Sequence, residues 1–247
     1  MPLEHPFPST GERAAILNTR FKGKTAQEVV EHALNAPEIG RVALVSSFGA
    51  ESVVLLHMIA QVDKTAPVLF IDTEMLFAET LGYQEKVARA LGLRNVQTIK
   101  PDRDAVFLRD NSNRMHIHNP DGCCALRKTE PLERALESFD GWFTGRKRFQ
   151  GGKRAELEFF EADGDSRIKV NPLAHWEPKD IASYIAQHKL PKHPLVAKGF
   201  ASLGCAPCTS KVIDGEDPRA GRWRGQNKSE CGIHFENGQA MRLQETI

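Results

Sequence analysis

The residues best able to do chemistry in this 247-residue chain are its five cysteines. Cys123 and Cys124 are adjacent, Cys205 and Cys208 form a CxxC pair, and Cys231 stands apart near the C-terminus. An odd count in a long chain that reads as lacking a secretion signal points away from a disulfide scaffold and toward a metal site or a reactive thiol. The CC…CxxC set offers four thiolates from two separate segments, which suits a tetrahedral metal or an iron–sulfur cluster. Consecutive side chains on a helix diverge by about 100°. An adjacent pair therefore reaches one small ion only with distortion, whereas the separate iron corners of a cubane accept divergent thiolates. The pair thus favours a [4Fe–4S] cluster over zinc, with a redox CxxC or small core cysteines as alternatives. Lys128 follows Cys124 by four residues, so a helix would put both on one face. Its charge would offset that of a four-thiolate cubane; the plainer alternative is a solvated helix lysine.

Cys231 has different neighbours. The segment "DPRAGRWRGQNK" just before it carries Arg219, Arg222, Arg224 and Lys228 with no matching acidic run. Cations favour thiolate over thiol, and arginines also bind oxyanions bidentately. His234, three residues beyond, could hold an anion or assist proton transfer. An incidental thiol in a solvated basic tail is the competing reading.

A third candidate is "SSFGAES", residues 46–52, between an apolar strand-like run and an apolar helix-like run. Small and hydroxyl residues at a strand-to-helix turn let backbone N–H groups approach an anion, and the helix N-terminus adds a favourable dipole. Gly49 is expected to permit the tight turn, with Ser46, Ser47 and Ser52 as donors, and Phe48, Ala50 and Glu51 completing the loop. The loop is neither a Walker motif nor a GxGxxG fingerprint. Asp72 and Thr73 close the next strand-like run, at the edge where such sheets bind ligands. A thiol, an arginine cluster and a phosphate loop together favour a covalent step on an anionic nucleotide.

These residues need elements to position them. Two amphipathic helices are expected between residues 11 and 36. "RVALVSSF" and "APVLFIDT" read as buried strands and "NVQTIK" and "GWFTG" as two further strands, with helices at "ESVVLLHMIAQV", "EMLFAETLGYQEKVARALG" and 123–139. After Gly145 the pattern weakens to a basic loop before an edge strand, then a strand at "RIKVNPLAHW" and a helix at "EPKDIASYIAQH" opened by Pro178. Alternating strands and helices predict an α/β fold, a mostly parallel twisted sheet with helices on both faces. The expected organisation is an N-terminal helical segment, 1–40, an α/β nucleotide- and cluster-binding domain, 41–212, and a mobile C-terminal tail, 213–247, carrying Cys231. A net charge of +1 argues against a general nucleic-acid partner. No apolar run approaches the roughly 20 residues of a membrane span, and a cytoplasmic location is expected.

Taken in order, these motifs resemble the thioredoxin-dependent adenylylsulfate (APS) and phosphoadenylylsulfate (PAPS) reductases of assimilatory sulfate reduction. "SSFGAES" is similar to that family's pyrophosphatase-type phosphate loop, "IDTEMLFAET" to its LDTG loop, "WFTGRKRFQGGKRAEL" to its arginine loop and "ECGIH" to its catalytic tail. The resemblance spans about Val42 to Gly238. Here Glu74 stands where the family commonly has Gly, and Ser52 where an acid is frequent. The resemblance implies an adenine nucleotide alpha-hydrolase-like (PP-loop) fold and a [4Fe–4S] cluster on Cys123, Cys124, Cys205 and Cys208. It implies Cys231 as nucleophile on the sulfur of APS, with an S-sulfocysteine intermediate resolved by thioredoxin or glutaredoxin and sulfite passing toward cysteine biosynthesis. It implies Lys128, Arg219, Arg222 and His234 around the phosphosulfate, and residues 46–52, Asp72, Thr73 and Arg154 around the nucleoside monophosphate. The four cluster cysteines accompany APS use in that family, so APS is the expected substrate, with PAPS or dual use as the alternative. An iron–sulfur or zinc redox sensor is the non-enzyme alternative, and homo-oligomerisation stays open.

Overall fold

The computed structural model describes residues 8–226 and 228. Two helices lead, α1 (Thr10–Arg20) and α2 (Ala26–Asn35). Each begins with a reciprocal capping box, Ser9 with Glu12 and Thr25 with Glu28, which satisfies backbone N–H groups that a helix start leaves bare. Alternation then follows: β1 (Val42–Ser46), α3 (Ser52–Val62), β2 (Val68–Ile71), α4 (Ala78–Leu91) and β3 (Val96–Ile99). Three short helices come next, α5 (Arg103–Asp110), α6 (Met115–His118) and α7 (Pro120–Cys124). A π-helical turn at Ala125–Thr129 leads into α8 (Glu130–Leu136) and β4 (Gly141–Phe143). The chain continues through β5 (Phe160–Asp163), β6 (Arg167–Val170) and α9 (Pro178–Gln187).

The six strands form one sheet in the order β3-β2-β1-β4-β6-β5. Every pairing is parallel except β5 with β6, so the weak edge strand expected after the basic loop is the antiparallel one. Helices cover both faces. Leu44, Phe70, Phe143, Phe160 and Val170 pack in one core with residues of α1, α2, α3, α4 and α9. Ala43, Leu69, Ile71 and Trp142 face Leu132, Leu136 and Phe139 on the other side. Double coverage explains why β2 reads as an unbroken apolar run: all four of its residues are buried. Among the described residues no helix is long and apolar enough to cross a membrane.

Topology locates the ligand edge. The chain runs outward from β1 to β2 and β3, then returns to the other side of β1 at β4. That reversal opens a crevice beyond the carboxyl ends of β1 and β4, where open α/β sheets bind ligands.

One expectation is corrected, and one loop conformation is added to the sequence reading. The span 123–139 is not one α-helix: α7 ends at Cys124, and the Glu130 N–H donates to the Ala125 carbonyl five residues back. A side chain raised by i, i+4 spacing is therefore displaced around the axis after Cys124. Gly49 does not take the left-handed conformation at the phosphate loop; that falls to Phe48, at φ 47°. Phe48 is held there because its ring is fully buried edge-on against Phe70, at 5.3 Å, and its N–H donates to Ser46 Oγ.

Candidate active site

The crevice is a cavity of about 270 Å³. Its wall at the end of β1 includes Ser46, Ser47, Gly49, Ala50, Glu51 and Ser52. Thr73 joins from the end of β2, Arg146, Lys147 and Arg154 from the loop after β4, and Lys128 from the π turn. Arg219, Arg222 and Trp223 line it from the C-terminal part of the described chain. Segments separated by more than a hundred positions thus meet in one cleft lined by four arginines and two lysines set against Glu51 and Asp217. An excess of fixed cations at a helix N-terminus is chemistry for a multiply charged anion.

Phe48 and Asp72 do not line the cavity. Phe48 anchors the phosphate loop in the core, as described above. Asp72 Oδ1 accepts the Glu74 N–H at 2.9 Å, and Oδ2 lies 3.6 Å from Lys100 Nζ. Asp72 thus shapes the turn after β2 by an Asx-type bond. That turn puts Glu74 at φ 58°, which explains why glycine is common there in the family named above. Left-handed backbone costs a residue with a Cβ roughly 1–2 kcal/mol, while glycine gives back about 0.5–1 kcal/mol of chain entropy. Glu74→Gly is therefore expected to raise stability by about 0.5–1 kcal/mol, read as a higher denaturant midpoint at unchanged slope. A lower midpoint would mean that the Glu74 contact to Lys100, 3.8 Å away, outweighs the backbone term.

Ser46 Oγ accepts the Phe48 N–H, and Ser52 Oγ donates to the Gly49 carbonyl at 2.8 Å, so both hydroxyls hold the loop in shape. Ser47 is exposed at the cavity wall. Arg154 is buried, with Gln150 Oε1 as a partner. Arg146 is bound to Glu161, Asn171 and Thr144, and Arg148 to Glu158 and the Leu157 carbonyl. Arg222 donates to the Leu203 carbonyl at 2.9 Å and stacks 4.3 Å from the Trp223 ring. It lies so close to Gly204 that a Cβ there would come within 2.3 Å of its guanidinium. The Arg222 Nε and Trp223 Nε1 donors are buried without a hydrogen-bond partner among the described residues, a state that a bound acceptor would relieve.

Cys123, Cys124 and Cys205 are buried and Cys208 half-buried. Cys205 Sγ lies 3.2 Å from Thr73 Oγ1, and Cys205 pairs through its backbone with Leu76 in an isolated bridge. Burial pushes the Cys123 thiol up to about 12, and the neighbouring Cys124 and Cys205 push the same way. Burial also raises the Cys208 thiol, with Cys205 adding to it and Lys128, Arg222 and Lys228 opposing it. The four thiols are therefore close enough to feel one another. Among the described residues, no group of three or more His, Cys, Asp or Glu is gathered tightly enough for a single metal ion. Cys231 and His234 lie outside the described residues.

Sequence reasoning overlooked two ion pairs whose cation is enclosed. Arg127 bridges Asp110 and Asn113 to the Thr73 carbonyl, with both charged side chains almost fully enclosed. It ties the cysteine-bearing turn to the loop after β2. Lys147 reaches Glu51 at 2.6 Å. Nothing marks either pair in sequence, because each joins charges that read singly as solvated.

Residues 41–211 match the family described as phosphoadenosine phosphosulfate reductase domain. An adenosine 5'-phosphosulfate reductase of Mesorhizobium japonicum is 48% identical over 95% of this chain and 93% of its own length. A phosphoadenosine 5'-phosphosulfate reductase of Gloeobacter violaceus is 39% identical over 78% of this chain and 82% of its own. Among solved structures, a phosphoadenylyl-sulfate reductase of Candida auris in a phosphate complex superposes with a TM-score of 0.68, at 26% identity over 81% of this chain and 97% of that one.

Proposed function

The chain belongs to the phosphoadenosine phosphosulfate reductase domain family, and on that premise we propose that it reduces adenylyl sulfate to sulfite and AMP for sulfate assimilation. The observation that carries this reading is the single cavity in which the phosphate loop, the loop after β2, the arginine loop, Lys128 and Arg219–Arg222 converge. The name of the Mesorhizobium relative, matched nearly end to end, favours APS over PAPS.

The proposed step needs a nucleophile at sulfur and a sink for charge on the leaving phosphate. The Cys231 thiolate forms a bond to the sulfur, the S–O bond to AMP breaks, and AMP leaves with the electron pair. Lys128, Arg219 and Arg222, with His234, hold the phosphosulfate and stabilise the charge that grows on the departing oxygen. Residues 46–52, Thr73 and Arg154 hold the AMP part, with Asp72 setting the second loop. A thiolate of reduced thioredoxin or glutaredoxin then attacks the Cys231 sulfur and displaces sulfite; its second thiol resolves the mixed disulfide. The reductant is oxidised by two electrons, and the sulfur leaves as sulfite.

A [4Fe–4S] cluster on Cys123, Cys124, Cys205 and Cys208 fits the donor set. Four soft ligands sit on two segments, mutually coupled, largely buried and with cations beside them. Such a group would supply thiolate-bound charge beside the cavity rather than electrons to substrate.

The test compares kcat/KM for APS and PAPS with thioredoxin as reductant, on anaerobically purified protein assayed for iron and acid-labile sulfide. The expected result is at least tenfold preference for APS, with iron and sulfide in near-equal amounts. Faster turnover of PAPS would overturn the substrate assignment, and stoichiometric zinc without sulfide would overturn the cluster.

A further inference from the structure

Glu51 sits where a carboxylate should harm an anion site. It is the N-cap of α3, makes no side-chain capping bond, and lines the cavity. A negative group there competes with a bound phosphate for the helix dipole and repels it directly. Lys147 answers this from across the crevice. The strand β4 and the bond from Arg148 N–H to the Ala174 carbonyl fix its backbone, and its ammonium meets Glu51 Oε2 at 2.6 Å. The lysine side chain is 4% exposed and the glutamate 34%. The ammonium is thus the enclosed partner, and the carboxylate edges the space a ligand would fill.

Taking the nucleotide reading above as given, we propose that Lys147 is a positioning residue that neutralises Glu51 and draws its carboxylate off the phosphate-binding end of α3. The lysine does not itself contact the nucleotide. Burial lowers the Lys147 pKa below the ordinary lysine value, Glu51 opposes that shift and Arg154 adds to it, so the carboxylate is the group that favours the charged lysine. Each charge is tolerable only because of the other: the lysine would be stranded in the protein without the glutamate, and the glutamate would face the phosphate unopposed without the lysine.

This account gives the two single variants opposite signs in binding, which a purely structural pair would not. The experiment is calorimetric binding of AMP to the full chain, with thermal unfolding of the same samples. Lys147→Met is expected to weaken AMP binding about ten- to thirtyfold, the size expected of one unscreened like charge nearby. Glu51→Gln is expected to tighten AMP binding at least threefold, because the carboxylate beside the phosphate is gone, while lowering the unfolding midpoint, because the enclosed ammonium loses the carboxylate it pairs with. The double variant should return to within about threefold of wild type. A double variant as weak as Lys147→Met would overturn the proposal, since it would place the lysine on the phosphate itself. Weaker binding by Glu51→Gln would also overturn it. If Lys147→Met alone fails to fold, the comparison of Glu51→Gln with the double variant decides: the first must bind AMP more tightly. A wild-type protein that binds no AMP would overturn the nucleotide reading and this inference with it, an outcome distinct from the two above.

Discussion

Replacing Cys231 with serine is expected to abolish sulfite release from APS, by at least about a thousandfold in kcat, while AMP binds within about threefold of wild type. The separation follows from where the parts come from. The groups that would hold AMP belong to residues 46–52, the loop after β2 and the loop after β4, which the sheet positions independently of residue 231. In the proposed mechanism the nucleophile comes from a different segment of the sequence. A serine hydroxyl has nearly the shape of a thiol but is far less ionised at neutral pH, and no general base for it is implied by the motif.

The measurement is sulfite release with excess reduced thioredoxin, paired with mass analysis of protein mixed with APS alone. Wild type should gain one sulfonate on Cys231 before reductant is added, and the variant none. Substantial turnover by the serine variant, or a sulfonate on one of the other four cysteines, would sink the mechanism. The latter outcome is disfavoured because Cys123, Cys124 and Cys205 are buried and Cys208 half-buried, which keeps them from an incoming sulfonucleotide.

How much of this was legible in sequence depended on whether a feature was local. The central strands β1 and β2 were legible because burial on both faces makes them short apolar runs, most plainly at Val68–Ile71. The loop 46–52 and the carboxyl end of β2 were legible as neighbours because strand-loop-helix order and sheet topology place both at one edge of the sheet. What was missed depends on partners distant in the chain. Arg127 and Asp110 are both charged and both buried, a state reached only because each neutralises the other. Lys147 was one basic residue among many until Glu51 stood opposite it. The left-handed Phe48 was missed for a related reason: a bulky ring takes that conformation only when the core overdetermines it, and Phe70 supplies the constraint. The π turn lies between these cases, since no residue type announces an i→i+5 bond.

That turn bears on Lys128. The sequence argument put Lys128 beside Cys124 by i, i+4 spacing on a regular helix, and the structure removes the regular helix. Lys128 nonetheless lines the cavity, is buried, and acts electrostatically on Cys208 from the opposite cysteine pair. It therefore lies between the cysteine-bearing segments and the cavity. If it stabilises charge on the sulfonucleotide as the bond to AMP breaks, removing it should cost the transition state more than the fold. Lys128→Ala is expected to lower kcat/KM for APS about a hundredfold, within the range for loss of one preorganised electrostatic contact. Its stability should fall by only about 1–2 kcal/mol, from lost packing of the stem. Lys128→Met separates the two effects, because it keeps most of the stem and discards the charge: stability should recover while activity stays low. Iron content must be measured alongside, since a variant that also loses iron would implicate Lys128 in holding the cluster. Recovery of activity in the methionine variant would show that packing, not charge, is what Lys128 contributes.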